Sequence, residues 1–393
     1  MKILCQVLMI CLLVLALSSA LAEAPVPANA NGVITAAEWE ALYPDIVKSY
    51  HMNEENSYRI DYLEKDPYLV ELYEGYGFAK DYTSAIGHTY TLQDVGKTER
   101  PHPLANCITC KTPDFTKLVI DMGEAAYSLP FEDVYAQMQE SIFCYNCHAN
   151  TPGTPTVTHT YVTKALGDQA AAIPASTLAC GQCHIEYHFE PGSKATAMPY
   201  HSVEEMTPEA ILAYYDAMDF ADWTQPSTGT PMLKAQHPEL ETYLNGSIHS
   251  RMGLTCAQCH MPTEVRSDGT TYRSHTLQSP LQSESLLATC AQCHKDTDMK
   301  QKVQAIQAEI TARETEVGTM LASYKGQLAE AVESGAYSEE ALTKMRQAYR
   351  QAQWYWDFCY VENSEGAHNS ALSRQCLDRS QQILEEASPL FEL

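Results

Sequence analysis

Apolar residues recur at every third or fourth position late in the chain, at Met299, Val303, Ile306, Ile310, Val317, Leu321, Tyr324, Leu328 and Val332. That period draws one seam along a long helix, and Gly335 is the residue expected to end it. A second helix from Ser338 carries Leu342, Met345, Tyr349, Ala352 and Trp356 on one face, and a third runs from about Asn369 to Ala387. Such seams either close an intramolecular bundle or pair with a second copy of the chain. Residues 33 to about 100 mix short apolar and charged segments with many tyrosines, which predicts helices joined by loops. Between Cys107 and His294 neither a helical nor a strand period is sustained, and Pro, Gly, Thr and Ser are frequent. An irregular stretch of that length implies a core filled by something other than polypeptide.

The extreme N-terminus has a different pattern. Lys2 precedes an apolar run from Ile3 to Leu17, followed by Ala20-Leu21-Ala22. This reads as a secretory signal peptide over residues 1–22, cleaved after Ala22; the run falls short of the roughly 18 apolar residues that a spanning helix needs. Export to the periplasm is expected, with Cys5 and Cys11 discarded. The exported chain then divides into a region over 23–295 and a helical region over 296–393. Charged residues are 19% and apolar residues 45% of the 393, the balance of a globular protein. Lys+Arg number 25 against 50 Asp+Glu, a net charge of -25 with no basic block, which argues against nucleic acid as a partner.

Cysteine changes the picture most. Ten of the 14 cysteines form five CxxC pairs, beginning at 107, 144, 180, 256 and 290. Four read CxxCH: Cys144, Cys147 and His148; Cys180, Cys183 and His184; Cys256, Cys259 and His260; Cys290, Cys293 and His294. This is the attachment motif of c-type haem, in which two thiols hold the macrocycle and the histidine binds iron. Structural zinc would use paired CxxC motifs but leaves the adjoining histidines unexplained, and CxxC disulfides make poor staples. The fifth pair, Cys107 and Cys110, is followed by Lys111. A neutral lysine amine on iron is a ligand of unusual type, and such an iron need not be closed on its other face, as a substrate requires. Beyond the four motif histidines ten remain, enough to close four haems, and counting does not choose among them.

The order of CxxCK followed by four CxxCH resembles the pentahaem cytochrome c nitrite reductases that form ammonia. Gly87-His88-Thr89, Arg100, Cys183-His184-Ile185-Glu186-Tyr187, Pro231-Met232-Leu233-Lys234-Ala235-Gln236-His237-Pro238 and Cys259-His260-Met261-Pro262 agree with it, over residues 36–368. The resemblance implies a mainly α multihaem cytochrome c with an irregular haem-packed core and long C-terminal helices. It implies five covalently bound haem c groups, with His88 opposite His184, His275 opposite His148, His249 opposite His294 and His368 opposite His260. It also implies a catalytic pocket of Arg100, Tyr187 and His237 over the Lys111-ligated iron. One Ca²⁺ would be held by Glu186, the carbonyls of Tyr187 and Lys234, and the Gln236 side chain; oxygen donors of these kinds suit calcium. Nitrite as substrate, a homodimer through the C-terminal helices, and a membrane-bound multihaem quinol dehydrogenase or a small cytochrome as electron donor are implied likewise. His51, His102, His159, His188 and His201 receive no role, although His102 lies near enough to Arg100 to rival the pocket residues.

Two other readings compete. A multihaem electron carrier without chemistry of its own would have the Lys111 iron capped by a side chain, and a related reductase would prefer sulfite or hydroxylamine. Cys359 and Cys376 stand outside any CxxC and are expected either to pair between the last two helices or to remain buried thiols.

Overall fold

The computed structural model describes residues 28–55 and 58–392, so the expected signal peptide lies outside the described residues. The protein is mainly α. Among the described residues, the named strands are three two-stranded antiparallel hairpins: β1 (His188–Phe189) with β2 (Thr196–Ala197), β3 (Trp223–Thr224) with β4 (Pro231–Met232), and β5 (Thr263–Val265) with β6 (Thr271–Arg273). The helices that matter for the site are α1 (Tyr68–Leu72), α2 (Cys144–His148), α3 (Ala175–Gly181), α4 (Cys256–His260), α5 (Glu284–Cys290), α6 (Met299–Ser334), α7 (Glu339–Tyr360) and α8 (Ser370–Ala387). None in the described residues is long and apolar enough to cross a membrane.

The three long helices begin and end where their capping residues put them. Asp298, Ser338 and Asn369 accept hydrogen bonds from the first-turn amides of α6, α7 and α8, satisfying donors that no intrahelical carbonyl can reach. Gly335 ends α6 in the left-handed region at φ 62°, which glycine enters without a Cβ clash. The α6 seam differs from its expected extent. It is buried from Ile310 to Leu328, whereas Met299, Val303, Ile306 and Val332 are half-buried. The sequence period marks a helix face, but the length over which neighbours cover it is set by where α7, α8 and α1 reach.

These helices do not stand apart from the rest. Trp354, Trp356, Tyr349 and Phe358 of α7 belong to the same apolar core as Leu69, Leu72, Tyr215 and Leu233. The indole N–H groups of Trp354 and Trp356 reach the carbonyls of Pro208 and Glu314, each at 2.8 Å. Gly318 lets α6 close on α1, since a Cβ there would meet the Tyr68 ring at 2.6 Å. Cys359 and Cys376 are buried thiols rather than a disulfide, and the Cys359 S–H donates to Glu314 at 3.4 Å.

From Cys107 to His294 the elements are short, as the lost periodicity predicts. The amide residue inside a CxxCH motif explains part of the local folding. Asn146 accepts from the Phe143 N–H at 3.2 Å and Gln258 from the Thr255 N–H at 2.8 Å, so each caps the helix its own motif starts. In the third motif Gln182 joins separate segments instead. It accepts from the Thr158 and His159 amides at 2.8 and 3.0 Å and donates to the Asn146 carbonyl at 2.7 Å.

Candidate active site

Each motif histidine faces a histidine from a distant segment. Ring centroids are 6.2 Å apart for His88 and His184, 6.3 Å for His148 and His275, 6.2 Å for His249 and His294, and 6.1 Å for His260 and His368. With metal–nitrogen bonds of about 2.0 Å and about 1.1 Å from nitrogen to ring centre, two imidazoles on one metal ion stand about 6.2 Å apart. The pairs fit one iron each. His184 has a second neighbour at almost the same spacing, since the His237 ring lies 6.4 Å away.

The outward nitrogens support ligation. Nδ1 of His260 is 3.0 Å from the Gln278 carbonyl and Nδ1 of His275 is 3.0 Å from the Arg273 carbonyl. A proton held on Nδ1 leaves Nε2 with its lone pair toward the partner ring. Burial, with the opposite His368 next, lowers the His260 pKa to about 4, and burial, then His184 and Lys111, lowers that of His88 to about 4. Neutral imidazole is the form that binds metal. The His184 side chain is 41% accessible, as expected of a ring that lines an internal hollow, and although burial, the largest influence, lowers its pKa, the facing Glu239 leaves it raised. The motif thiols are mostly half-buried in the same way.

The thiols also show how the motifs connect. α3 packs against both α2 and α4. The thiols of Cys110 and Cys183 lie within 4.8 Å of each other, with a ring nitrogen of His159 in the same cluster. Cys180 interacts directly with Cys256, and Cys259 lies near Cys290. The third motif is therefore the hub, touching the lysine motif on one side and the fourth motif on the other.

Around Lys111 the structure gathers the residues singled out by sequence. The Thr91 hydroxyl donates to the carbonyls of Lys111 and His88 at 2.8 and 3.0 Å, tying the two together. The Arg100 guanidinium lies 4.2 Å over the Phe78 ring, and its charge bears on Tyr187, Tyr76 and Cys107. Tyr187 rises far above the usual phenol range, through burial first. His237 keeps an accessible ring, yet burial among the surrounding atoms pulls its pKa down to about 4 against the opposing charge of Glu239. His102 is exposed, as His237 is.

Glu186, Lys234 and Gln236 form a second cluster beside Tyr187. Glu186 is fully buried, accepting from the Gln236 N–H at 2.6 Å and the Tyr215 hydroxyl at 2.9 Å. The Gln236 amide is 3.0 Å from the Lys234 carbonyl; turned over, it would set two oxygens side by side. Burial raises the Glu186 carboxyl well above its usual range, and raises Asp222 to about 7 and Glu241 to about 8. Buried acids with oxygens on one side fit a hard cation such as Ca²⁺. The Lys234 ammonium is turned away, ion-paired with Asp357 at 2.9 and 3.0 Å, so only its carbonyl is available to a metal.

Comparison with known proteins places this architecture. A model of the cytochrome c552 family matches residues 35–391. The chain belongs to the cytochrome c552 family. The solved catalytic subunit (NrfA) of cytochrome c nitrite reductase from Desulfovibrio desulfuricans ATCC 27774, described with two calcium sites, is similar at TM-score 0.81 and 27% identity, over 93% of this chain and 87% of that one. The outer cell wall cytochrome OcwA matches at TM-score 0.39 and 18% identity over 76% of this chain and 48% of that one, too slight a likeness to carry weight.

In this cytochrome c552 family member, sequence reading missed the acids behind the site: Asp222, Glu239, Glu241, Asp357 and Glu362. Only His237-Pro238-Glu239, continuous with a motif, offered any signal. His159 and His188, left without a role, are both buried.

Proposed function

We propose that this protein is a periplasmic cytochrome c nitrite reductase that converts nitrite to ammonium at the site of Cys107, Cys110 and Lys111. Five haem c groups would be held by the five CxxC motifs, and one Ca²⁺ by Glu186, the Tyr187 and Lys234 carbonyls and Gln236. The observation that carries the reading is the set of four facing imidazole pairs at 6.1–6.3 Å, linked through neighbouring thiols to a fifth motif that has lysine instead. The likeness to the Desulfovibrio enzyme supports it.

The balanced reaction takes nitrite, six electrons and eight protons to ammonium and two waters. Bound haem would supply electron storage and transfer and, at the Lys111 motif, a metal able to take the substrate. The chain supplies the rest. Arg100, held over Phe78, binds the anion and compensates its charge. His237 rests neutral, so the negative substrate draws a proton onto it and makes it a donor to the departing oxygens. Tyr187 keeps its proton at any physiological pH and serves as a fixed hydrogen-bond donor. Ca²⁺ would order the Glu186–Tyr187 and Lys234–His237 segments from which both groups come. His88, His275, His249 and His368 would hold the other irons and so keep substrate away from them. The half-buried start of α6 favours a homodimer through the C-terminal helices, and electrons would come from a membrane-bound multihaem quinol dehydrogenase or a small cytochrome.

The test is a nitrite-to-ammonium assay with a reduced dye on the wild type and on Lys111→Ala. Ammonium formation by the wild type and its loss, by at least about 100-fold (a 2.7 kcal/mol rise in barrier), in a variant that retains five haems is the expected outcome. A wild type that binds no nitrite and shows only low-spin iron would leave an electron carrier.

A further inference from the structure

The connection between α7 and α8, residues 361–369, places two carboxylates behind two of the histidine pairs. Glu362 is 3% exposed, and its Oε1 lies 2.6 Å from Nδ1 of His368. The Ser364 hydroxyl donates to its other oxygen. The next residue, Asn363, donates to Oε1 of Glu239 from its backbone N–H at 3.3 Å and from its side-chain amide. That grip turns the second oxygen of Glu239 toward Nδ1 of His184, 3.7 Å away, where it is buried with no hydrogen bond of its own. Asn369 closes the far end of the connection by donating to the Thr242 and Asn245 carbonyls at 3.2 and 2.7 Å. One loop thereby holds both Glu362 behind His368 and, through Asn363, Glu239 behind His184.

Carbonyls take that place elsewhere: Nδ1 of His260, the ring opposite His368, faces the Gln278 carbonyl, and in the His148–His275 pair Nδ1 of His275 faces the Arg273 carbonyl. A carbonyl accepts the Nδ1 proton without adding charge. A carboxylate in the same place pushes electron density into the ring, makes Nε2 the stronger donor and favours the oxidised metal.

We propose that Glu362 and Glu239 are positioning residues that lower the reduction potentials of the irons ligated by His368 and His184, and that the 361–369 connection sets both together. The inference rests on the haem ligation proposed above. Its consequence follows from the thiol contacts: these two motifs adjoin through Cys180 and Cys256, and the third adjoins the lysine motif through Cys183 and Cys110. The carriers immediately before the catalytic iron are then the more strongly reducing ones, and an electron reaching them is driven onward to the substrate site.

The experiment is a spectropotentiometric titration of the intact holoenzyme, comparing wild type with Glu362→Gln and Glu239→Gln. Glu362→Gln is expected to raise one midpoint potential by a tenfold change in the one-electron equilibrium, about 59 mV, with haem content and low-spin signals intact. Glu239→Gln should raise a different midpoint by less, because its oxygen stands farther from the ring. Glu362→Asp, which keeps the charge but withdraws it from Nδ1, should give a smaller rise at the first midpoint and serves if the glutamine variant fails to fold. Unchanged midpoints in variants with a full complement of haem would overturn the proposal. A Cys256→Ser, Cys259→Ser variant that loses no haem would instead overturn the ligation reading beneath it.

Discussion

At the scale of single residues, His184 presents the sharpest choice, because His88 and His237 stand at 6.2 and 6.4 Å from it and only one can share its iron. If His88 is the opposite ligand, His88→Ala converts one haem from low to high spin, visible by electron paramagnetic resonance. His237→Ala then leaves the spin state unchanged and lowers nitrite turnover. The reverse pattern would exchange their roles. Asp357 is a second decisive residue. It accepts from the Tyr73 hydroxyl at 2.6 Å, the Ala235 N–H at 2.8 Å and the Lys234 ammonium, and is fully buried. Asp357→Asn leaves a buried ammonium without a counter-charge, so a loss of about 3–5 kcal/mol is expected in denaturant unfolding. Calcium affinity should fall with it, since the Lys234 carbonyl is positioned by the same pair.

At the scale of elements, α6 carries a buried acid on its inner face. Burial pushes Glu314 up to about 8, against the hydrogen bond from Cys359 and the charge of Lys65. Between the usual carboxylate range and that value the folded protein holds a proton that the unfolded chain releases, so this group makes stability fall as pH rises through the window. Glu314→Gln keeps an acceptor for Cys359 and removes the titration. Its melting temperature should vary less with pH across the window and exceed the wild type's at pH 8, by the equivalent of about 1–3 kcal/mol. The extents of α6, α7 and α8 were readable from sequence because caps and the 3–4 period are local signals. The positions of the haem motifs were readable for the same reason. What α6 buries was not, because Met299, Val303 and Ile306 repeat the period of the covered positions and yet are only half covered.

At the scale of the whole molecule, the charge of -25 opposes the approach of an anion. The Arg100 guanidinium, with Ca²⁺ at the proposed site, would reverse the field only locally, while the acidic surface acts over about 8–10 Å, the screening length near physiological salt. Raising ionic strength from low to physiological values should therefore increase kcat/KM for nitrite, measured in steady state. A profile that is flat or falls would mean that the entrance field outweighs the surface. The acidic exterior has the opposite effect on the product cation, which it draws outward.

The sequence alone singled out the candidate chemistry-bearing groups. CxxCH and CxxCK are contiguous, since the two thiols and the adjoining ligand must grip one macrocycle, and the long helices are marked by repeats within a few residues. Tertiary structure decided how those groups meet. Each histidine pair joins segments far apart in the chain, and Asp357 reaches Lys234 across 123 positions. The carboxylate behind His368 lies in the connection between α7 and α8, and the one behind His184, which follows the Pro231–Pro238 motif, is held by Asn363 of that connection. No periodicity encodes such contacts, because they are selected by which surfaces remain to be covered once the helices and hairpins have packed.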